Sequence, residues 1–279
     1  MKMIQLCVHD FDGNGFRTFD ASPGNVNVHT ACRQAVGDIF GSVILKFYDE
    51  SGGLKNRAPV ELMSDLLVKN PLLIDVAHNY YQSNRVALDS FMPEGKGFLL
   101  GWHTNPVMAL AELFTRRKLQ ILTAEISAEQ CGDDTWPQLT KNFDVFWREI
   151  KATPDSYTAI LSSGHDYFIK RVFDLWDLEL PDVMVTDDDM RAIEQGNGIA
   201  PYKPDPQLMY EVWDRFESRT GLRSDQYQTI YFGDDAEKDG GLAESAGVPF
   251  YHFGDSDPKG FDTTKDWLDR VPLVGRNVA

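Results

Sequence analysis

At 279 residues, 42% of them hydrophobic, the chain can bury a large core and build one domain plus an insertion. Its 43 acidic against 27 basic residues leave a formal net charge of −16, which argues against a nucleic-acid partner, because gripping a phosphate backbone needs a basic stripe. Cys7, Cys32 and Cys131 are too few and too scattered for a disulfide framework or a Cys-based zinc site. No apolar run approaches the ~20 residues that span a bilayer and no N-terminal signal is visible, so the expectation is a cytoplasmic protein with no membrane partner.

The first predicted element is a strand over residues 3–9, Met3-Ile4-Gln5-Leu6-Cys7-Val8-His9, which runs into Asp10-Phe11-Asp12-Gly13-Asn14-Gly15. Residues i and i+2 share a face of a strand, and once the chain turns at Gly13 the second carboxylate can swing over the first. One can then attack a substrate while the other moves a proton. Taken alone, the pair reads more often as an ordinary strand-ending turn. Cys7 is read as a core residue.

Residues 16–150 carry helical periodicity and few β-branched runs. Pro59 to Val68 is one predicted helix, and Asn105-Pro106 starts another, with an amide at the cap and Pro at the first helical position. Thr135-Trp136-Pro137 is expected to begin a third, with Phe143, Phe146 and Trp147 on its buried stripe. Arg116-Arg117-Lys118 is placed at a helix end, where cations complement the macrodipole, and His103 is read as an ordinary surface or core histidine. In Ser51-Gly52-Gly53-Leu54-Lys55-Asn56-Arg57, Lys55 and Arg57 could clamp an anionic substrate, although a surface turn is the commoner use of such a loop.

Strands then alternate with helices. A strand over 157–161 ends in Ser162-Ser163-Gly164 and is followed by a helix from Asp166 to about Trp176. A strand over 183–186 leads to Asp187-Asp188-Asp189, read as the solvated start of a helix rather than a metal site. Ala200-Pro201-Tyr202-Lys203-Pro204-Asp205-Pro206 holds a lysine in a stiff segment before a helix reaching about Thr220. A strand over 228–232 runs into Gly233-Asp234-Asp235, a helix over Lys238 to Ala246 carries Asp239, and a last strand covers 249–252. This alternation predicts an α/β fold with a parallel sheet flanked by helices, whose active residues sit at the carboxyl ends of the strands.

An Asp-x-Asp pair, a Ser, a Lys and a Gly-Asp acidic pair, in that order, resemble the four motifs of the haloacid dehalogenase-like (HAD) superfamily. The resemblance covers both ends of the chain and not residues 16–150. It implies a Rossmann-like core made of 1–15 and 151–279, and a mostly helical cap of the C1 type over 16–150, inserted after the first strand to exclude water and choose the substrate.

The resemblance further implies that Asp10 is a nucleophile forming an aspartyl-phosphate and that Asp12 is the general acid/base. Asp10, the backbone carbonyl of Asp12 and an acidic residue of the fourth motif would hold Mg²⁺. Asp234 is preferred as that ligand, with Asp235 the alternative and Asp239 orienting the shell. Ser162 would hydrogen-bond a phosphoryl oxygen, either Ser162 or Ser163 facing the site beside Gly164, and Lys203 would neutralise charge. The family usually has Thr or Val where this chain has Asn14. Asp12 sets the chain apart from the dehalogenases and P-type ATPases, which lack that acid. The implied activity is Mg²⁺-dependent hydrolysis of a small phosphorylated metabolite. The alternatives are a sugar-phosphate mutase or phosphotransferase, and a catalytically silent binding protein.

Overall fold

The computed structural model describes residues 4–54, 59–91, 102, 104–126, 135–190, 201–252 and 261. They divide into two compact units: residues 1–20 with 137–279, and residues 21–136 between them in sequence.

The first unit is a five-stranded, all-parallel sheet: β1 (Ile4–His9), β2 (Ser156–Leu161), β3 (Val183–Val185), β4 (Tyr227–Gly233) and β5 (Phe250–His252), in the order β3-β2-β1-β4-β5. The central strand is hydrogen-bonded on both sides, with Val8 in register with Ala159 and with Tyr231. From β1 the chain winds outward through β2 and β3, then returns to the other side with β4. The carboxyl edge between β1 and β4 is therefore a topological switch point, where open α/β sheets bind their ligands.

Both faces of β1 are buried. Leu6 and Val8 pack with Ala159, Leu161, Val212, Phe216, Tyr231 and Leu242 in one core, which the helices Gln207–Thr220 and Lys238–Ala246 line. The alternate residues Cys7 and His9 face the opposite way, toward the aromatic side chains of the helix Phe143–Ala152. A further helix, Asp166–Leu175, buries Phe168, Ile169, Val172 and Phe173.

The second unit is all helical in its described residues. Numbered in chain order, it holds α1 (Val28–Phe40), α2 (Ser42–Glu50), α3 (Pro59–Lys69), α4 (Leu73–Asp89) and α5 (Pro106–Glu125). The helices α1, α3 and α4 pack on α5. Asn105 caps α5 by accepting a hydrogen bond from the Met108 N–H, with Pro106 at the first turn, as the sequence predicts. The remaining helices, in the first unit, are α6 (Phe143–Ala152), α7 (Asp166–Leu175), α8 (Gln207–Thr220) and α9 (Lys238–Ala246). No helix among the described residues is long and apolar enough to cross a membrane.

Two expectations about helix boundaries differ from the structure. Thr135-Trp136-Pro137 does not open a helix. The segment instead bends at Trp136 and Pro137, with Leu139 then bridged to Phe16 and the Gln138 carbonyl accepting from the Arg17 N–H, and α6 begins only at Phe143, grouping with the sheet unit. Arg116-Arg117-Lys118 lies in the middle of α5, because the helix runs on to Glu125. There Arg116, almost fully buried, is paired with Glu112 at 3.1 Å and Asp89 at 2.6 Å, so an internal ion-pair network replaces the expected macrodipole contact.

Candidate active site

Four loops reach the carboxyl edge of the sheet. The first follows β1. Asp10 is anchored by its N–H, which donates to the Phe232 carbonyl of the neighbouring strand. Gly13 turns the loop with a φ of +76°, and a side chain there would collide with the Asp234 carboxylate. The second follows β2, where the buried Ser162 Oγ accepts from the Gly164 N–H at 3.0 Å while Ser163 is exposed. A methyl group on Gly164 would lie 3.2 Å from Ser162 Oγ and 3.3 Å from Asp12 Oδ2, so this glycine lets the first two loops converge.

Lys203 comes from the third loop. Its buried ammonium donates to Asp10 Oδ1 at 2.7 Å and to Asp239 Oδ1 at 2.8 Å. The loop can lie close to α9 because that helix carries Gly241, where an added methyl would come 3.1 Å from Pro204. The fourth loop follows β4 and brings Asp234 in. Carboxylate oxygens of Asp10, Asp234 and Asp239 all fall within 4.8 Å of one another.

Charge explains the behaviour of this cluster. Burial, opposed by Lys203 and reinforced by Asp239 and Asp234, holds the Asp10 carboxyl well above its usual range. Asp234 is pushed up to about 6, by burial first and then by Asp239. Asp239 goes the other way: against the cost of burial, Lys203 and the Tyr231 hydroxyl hold it ionised. Three carboxylates thus share one ammonium, a deficit suited to a hard, oxygen-seeking cation such as Mg²⁺.

The sequence-predicted residues separate accordingly. Asp10, Asp234, Asp239 and Lys203 come together, with Ser162, Gly164 and Asp12 adjoining them. Asp235 does not join the carboxylate cluster: its Oδ1 accepts from the Glu237 and Lys238 N–H groups at the start of α9. Lys55 and Arg57 lie outside the described residues, as does His103.

Three contacts escaped the sequence reading. The buried Thr18 donates to Asp12 Oδ1 at 2.6 Å and fixes the second carboxylate. The Tyr231 hydroxyl donates to Asp239 Oδ1 at 2.8 Å from inside the sheet. The third is the surroundings of the Asp187-Asp188-Asp189 triplet, which opens a helical turn as expected but is not solvated. Asp187 is buried, accepts from the Tyr202 hydroxyl at 3.0 Å and lies 3.5 Å from His165 Nδ1. Asp188 accepts from the Asp166 N–H, and Asp189 pairs with Arg215. Tyr231 was readable in principle, since strand alternation puts it on the face opposite Ile230 and Phe232; Thr18 carried no spacing signal.

No protein-family model matches the chain, and no curated protein matches it. Among solved structures it is similar to CbbY from Rhodobacter sphaeroides in complex with phosphate, at 12% identity and a TM-score of 0.48, over 89% of this chain and 85% of that one. It is similar to the 2-haloacid dehalogenase from Pseudomonas syringae pv. Tomato DC3000 at 16% identity, with 94% and 90% covered and a TM-score of 0.45. The HAD phosphatase from Thermococcus onnurineus is similar at 16% identity, with 93% and 91% covered and a TM-score of 0.41. In the order of its four motifs and in the parallel sheet that carries them, the chain resembles the haloacid dehalogenase-like hydrolases.

Proposed function

We propose that this protein is a Mg²⁺-dependent phosphoric monoester hydrolase that works through an aspartyl-phosphate on Asp10. The observation that carries the reading is the charge imbalance at the sheet edge. One ammonium, Lys203, lies between Asp10 and Asp239, with Asp234 in the same cluster. Such a site is completed by a cation and, through that cation and Lys203, by an anionic phosphoryl group.

Asp10, Asp234 and Asp239, with the backbone carbonyl of Asp12, would hold Mg²⁺, which supplies charge neutralisation for the phosphoryl oxygens. Asp10 attacks phosphorus in line with the leaving oxygen, and Asp12 gives that oxygen its proton. Asp12, now a carboxylate, takes a proton from water as the water attacks phosphorus, and the Asp10–phosphorus bond breaks to release inorganic phosphate. Thr18 keeps Asp12 aimed, Ser162 hydrogen-bonds a phosphoryl oxygen beside Gly164, and Lys203 restrains Asp10 until substrate arrives. Asp12 also separates this chemistry from dehalogenation, which has no alkoxide to protonate. The helical insertion acts as the cap that selects a small phosphorylated metabolite.

The test is phosphate release from p-nitrophenyl phosphate with and without Mg²⁺, comparing the wild type with Asp10→Asn. Turnover that needs the metal and falls at least about thousandfold in the variant is expected of a lost nucleophile. Turnover that survives the substitution, or ignores metal removal, would overturn the reading.

A further inference from the structure

His9 is an unusual residue to find where it is. It ends β1 directly before Asp10, is fully buried, and sits in an aromatic cage. Its ring stacks on Phe232 at 4.5 Å between centroids and 5° between planes. The edges of Phe143, Phe146 and Trp147 close around it at 5.9, 5.5 and 5.6 Å. A phenyl ring would satisfy every one of these contacts. The imidazole adds two nitrogens, and one of them, Nε2, is buried with no hydrogen-bond partner among the described residues. Such groups are uncommon in folded proteins and need a reason.

The other nitrogen supplies one. Nδ1–H donates to the side-chain oxygen of Asn14 at 3.4 Å, and Asn14 is itself fully buried. This bond closes a ring across Asp10-Phe11-Asp12-Gly13, the segment that carries both carboxylates of the proposed reaction. Asn14 offers this bond a side-chain amide oxygen, which a valine at the position would lack. A hydrogen bond of this length returns less stability than burying an unpartnered ring nitrogen costs. The pair is therefore poorly explained as a device for stability. It sits where a local rule is broken beside reacting groups, as happens at functional sites.

We infer that His9 and Asn14 form a brace that positions the Asp10–Asp12 loop, with His9 as a positioning residue acting through Asn14. Its role in turnover rests on the hydrolase reading above; its effect on the loop does not. Two variants separate the brace from the packing. His9→Phe keeps a ring in the cage and removes the Nδ1–H. His9→Asn puts an amide N–H near the place of Nδ1–H and gives up the ring.

The experiment follows amide hydrogen exchange over residues 10–16 together with Tm, and measures kcat and KM for p-nitrophenyl phosphate with Mg²⁺. In His9→Phe, Tm should hold or rise while exchange in this segment quickens about fivefold to tenfold, the loss expected for one hydrogen bond. The value of kcat should fall about tenfold or more with KM little changed, the mark of misaligned reacting groups. His9→Asn should show the reverse pairing, a lower Tm with exchange near the wild-type rate. Unchanged exchange in His9→Phe would overturn the brace, as would loop exchange that merely follows Tm in both variants. Exchange and Tm need no turnover, so an inactive wild type would sink the hydrolase reading while these two measurements still decide the brace.

Discussion

The two units bury charge in opposite ways. In the helical unit Arg116 meets Glu112 and Asp89, so an almost completely buried cation is matched by carboxylates that hold it in good geometry, and the Tyr81 hydroxyl adds a hydrogen bond to Asp89 at 3.0 Å. In the sheet unit Asp10, Asp234 and Asp239 form one cluster in which, among the described residues, Lys203 is the one cation paired with it, through Asp10 and Asp239. The first arrangement is complete as it stands. The second carries an excess of negative charge at the one edge where the topology opens, and that excess reads as a demand for a ligand rather than as a structural pair.

The comparison can be broken from either side. The larger effect lies in the helical unit. Arg116→Ala removes the buried guanidinium that Glu112 and Asp89 share, and should cost about 3 kcal/mol or more of stability in urea unfolding. Replacing the pair together, Arg116→Met with Glu112→Leu, should cost much less, since no charge is then stranded. A single-variant loss under about 1 kcal/mol would show that water or another group rescues Glu112, and the contrast between the units would fail.

A smaller, pH-dependent effect belongs to the sheet unit. Asp234 is pushed up to about 6 in the folded chain, first by burial and then by Asp239. A carboxyl whose folded pKa is raised contributes stability below its unfolded value and loses it as pH rises through the folded one. Without metal, this group therefore weakens the fold between about pH 4 and pH 6 and above. A divalent cation takes the place of that proton, so the rise in Tm on adding Mg²⁺ should grow from about pH 5 to about pH 7.5. An increment that does not change with pH would place the ion elsewhere.

What was readable in the sequence follows from how local the signal is. The strands β1, β2 and β4 announce themselves as apolar runs closed by Asp, Ser or Gly-Asp, and the start of α5 is written in Asn105-Pro106. These are contacts within a few residues, or periodicities that burial imposes. The Asp187-Asp188-Asp189 triplet misled because a run of like charges ordinarily faces water. Here Tyr202, His165 and Arg215 arrive from distant segments to receive it. Arg116 misled for a related reason, as the length of α5 moved a presumed helix end into the middle of a packed helix. Within the site, Asp10, Asp12 and Lys203 were legible from motif order. Thr18 and the His9–Asn14 pair were not, since what distinguishes them is the way the loop folds back on itself.

The central claim is that Asp10 becomes covalently phosphorylated. Acid quenching of the enzyme during turnover of p-nitrophenyl phosphate with Mg²⁺, then borohydride reduction and peptide mass analysis, reads this directly, because an acyl phosphate on aspartate is reduced to homoserine. The account predicts homoserine at position 10 and nowhere else, absent when Mg²⁺ is withheld. Steady phosphate release with aspartate intact at position 10, or with phosphate carried on Ser162 instead, would contradict it.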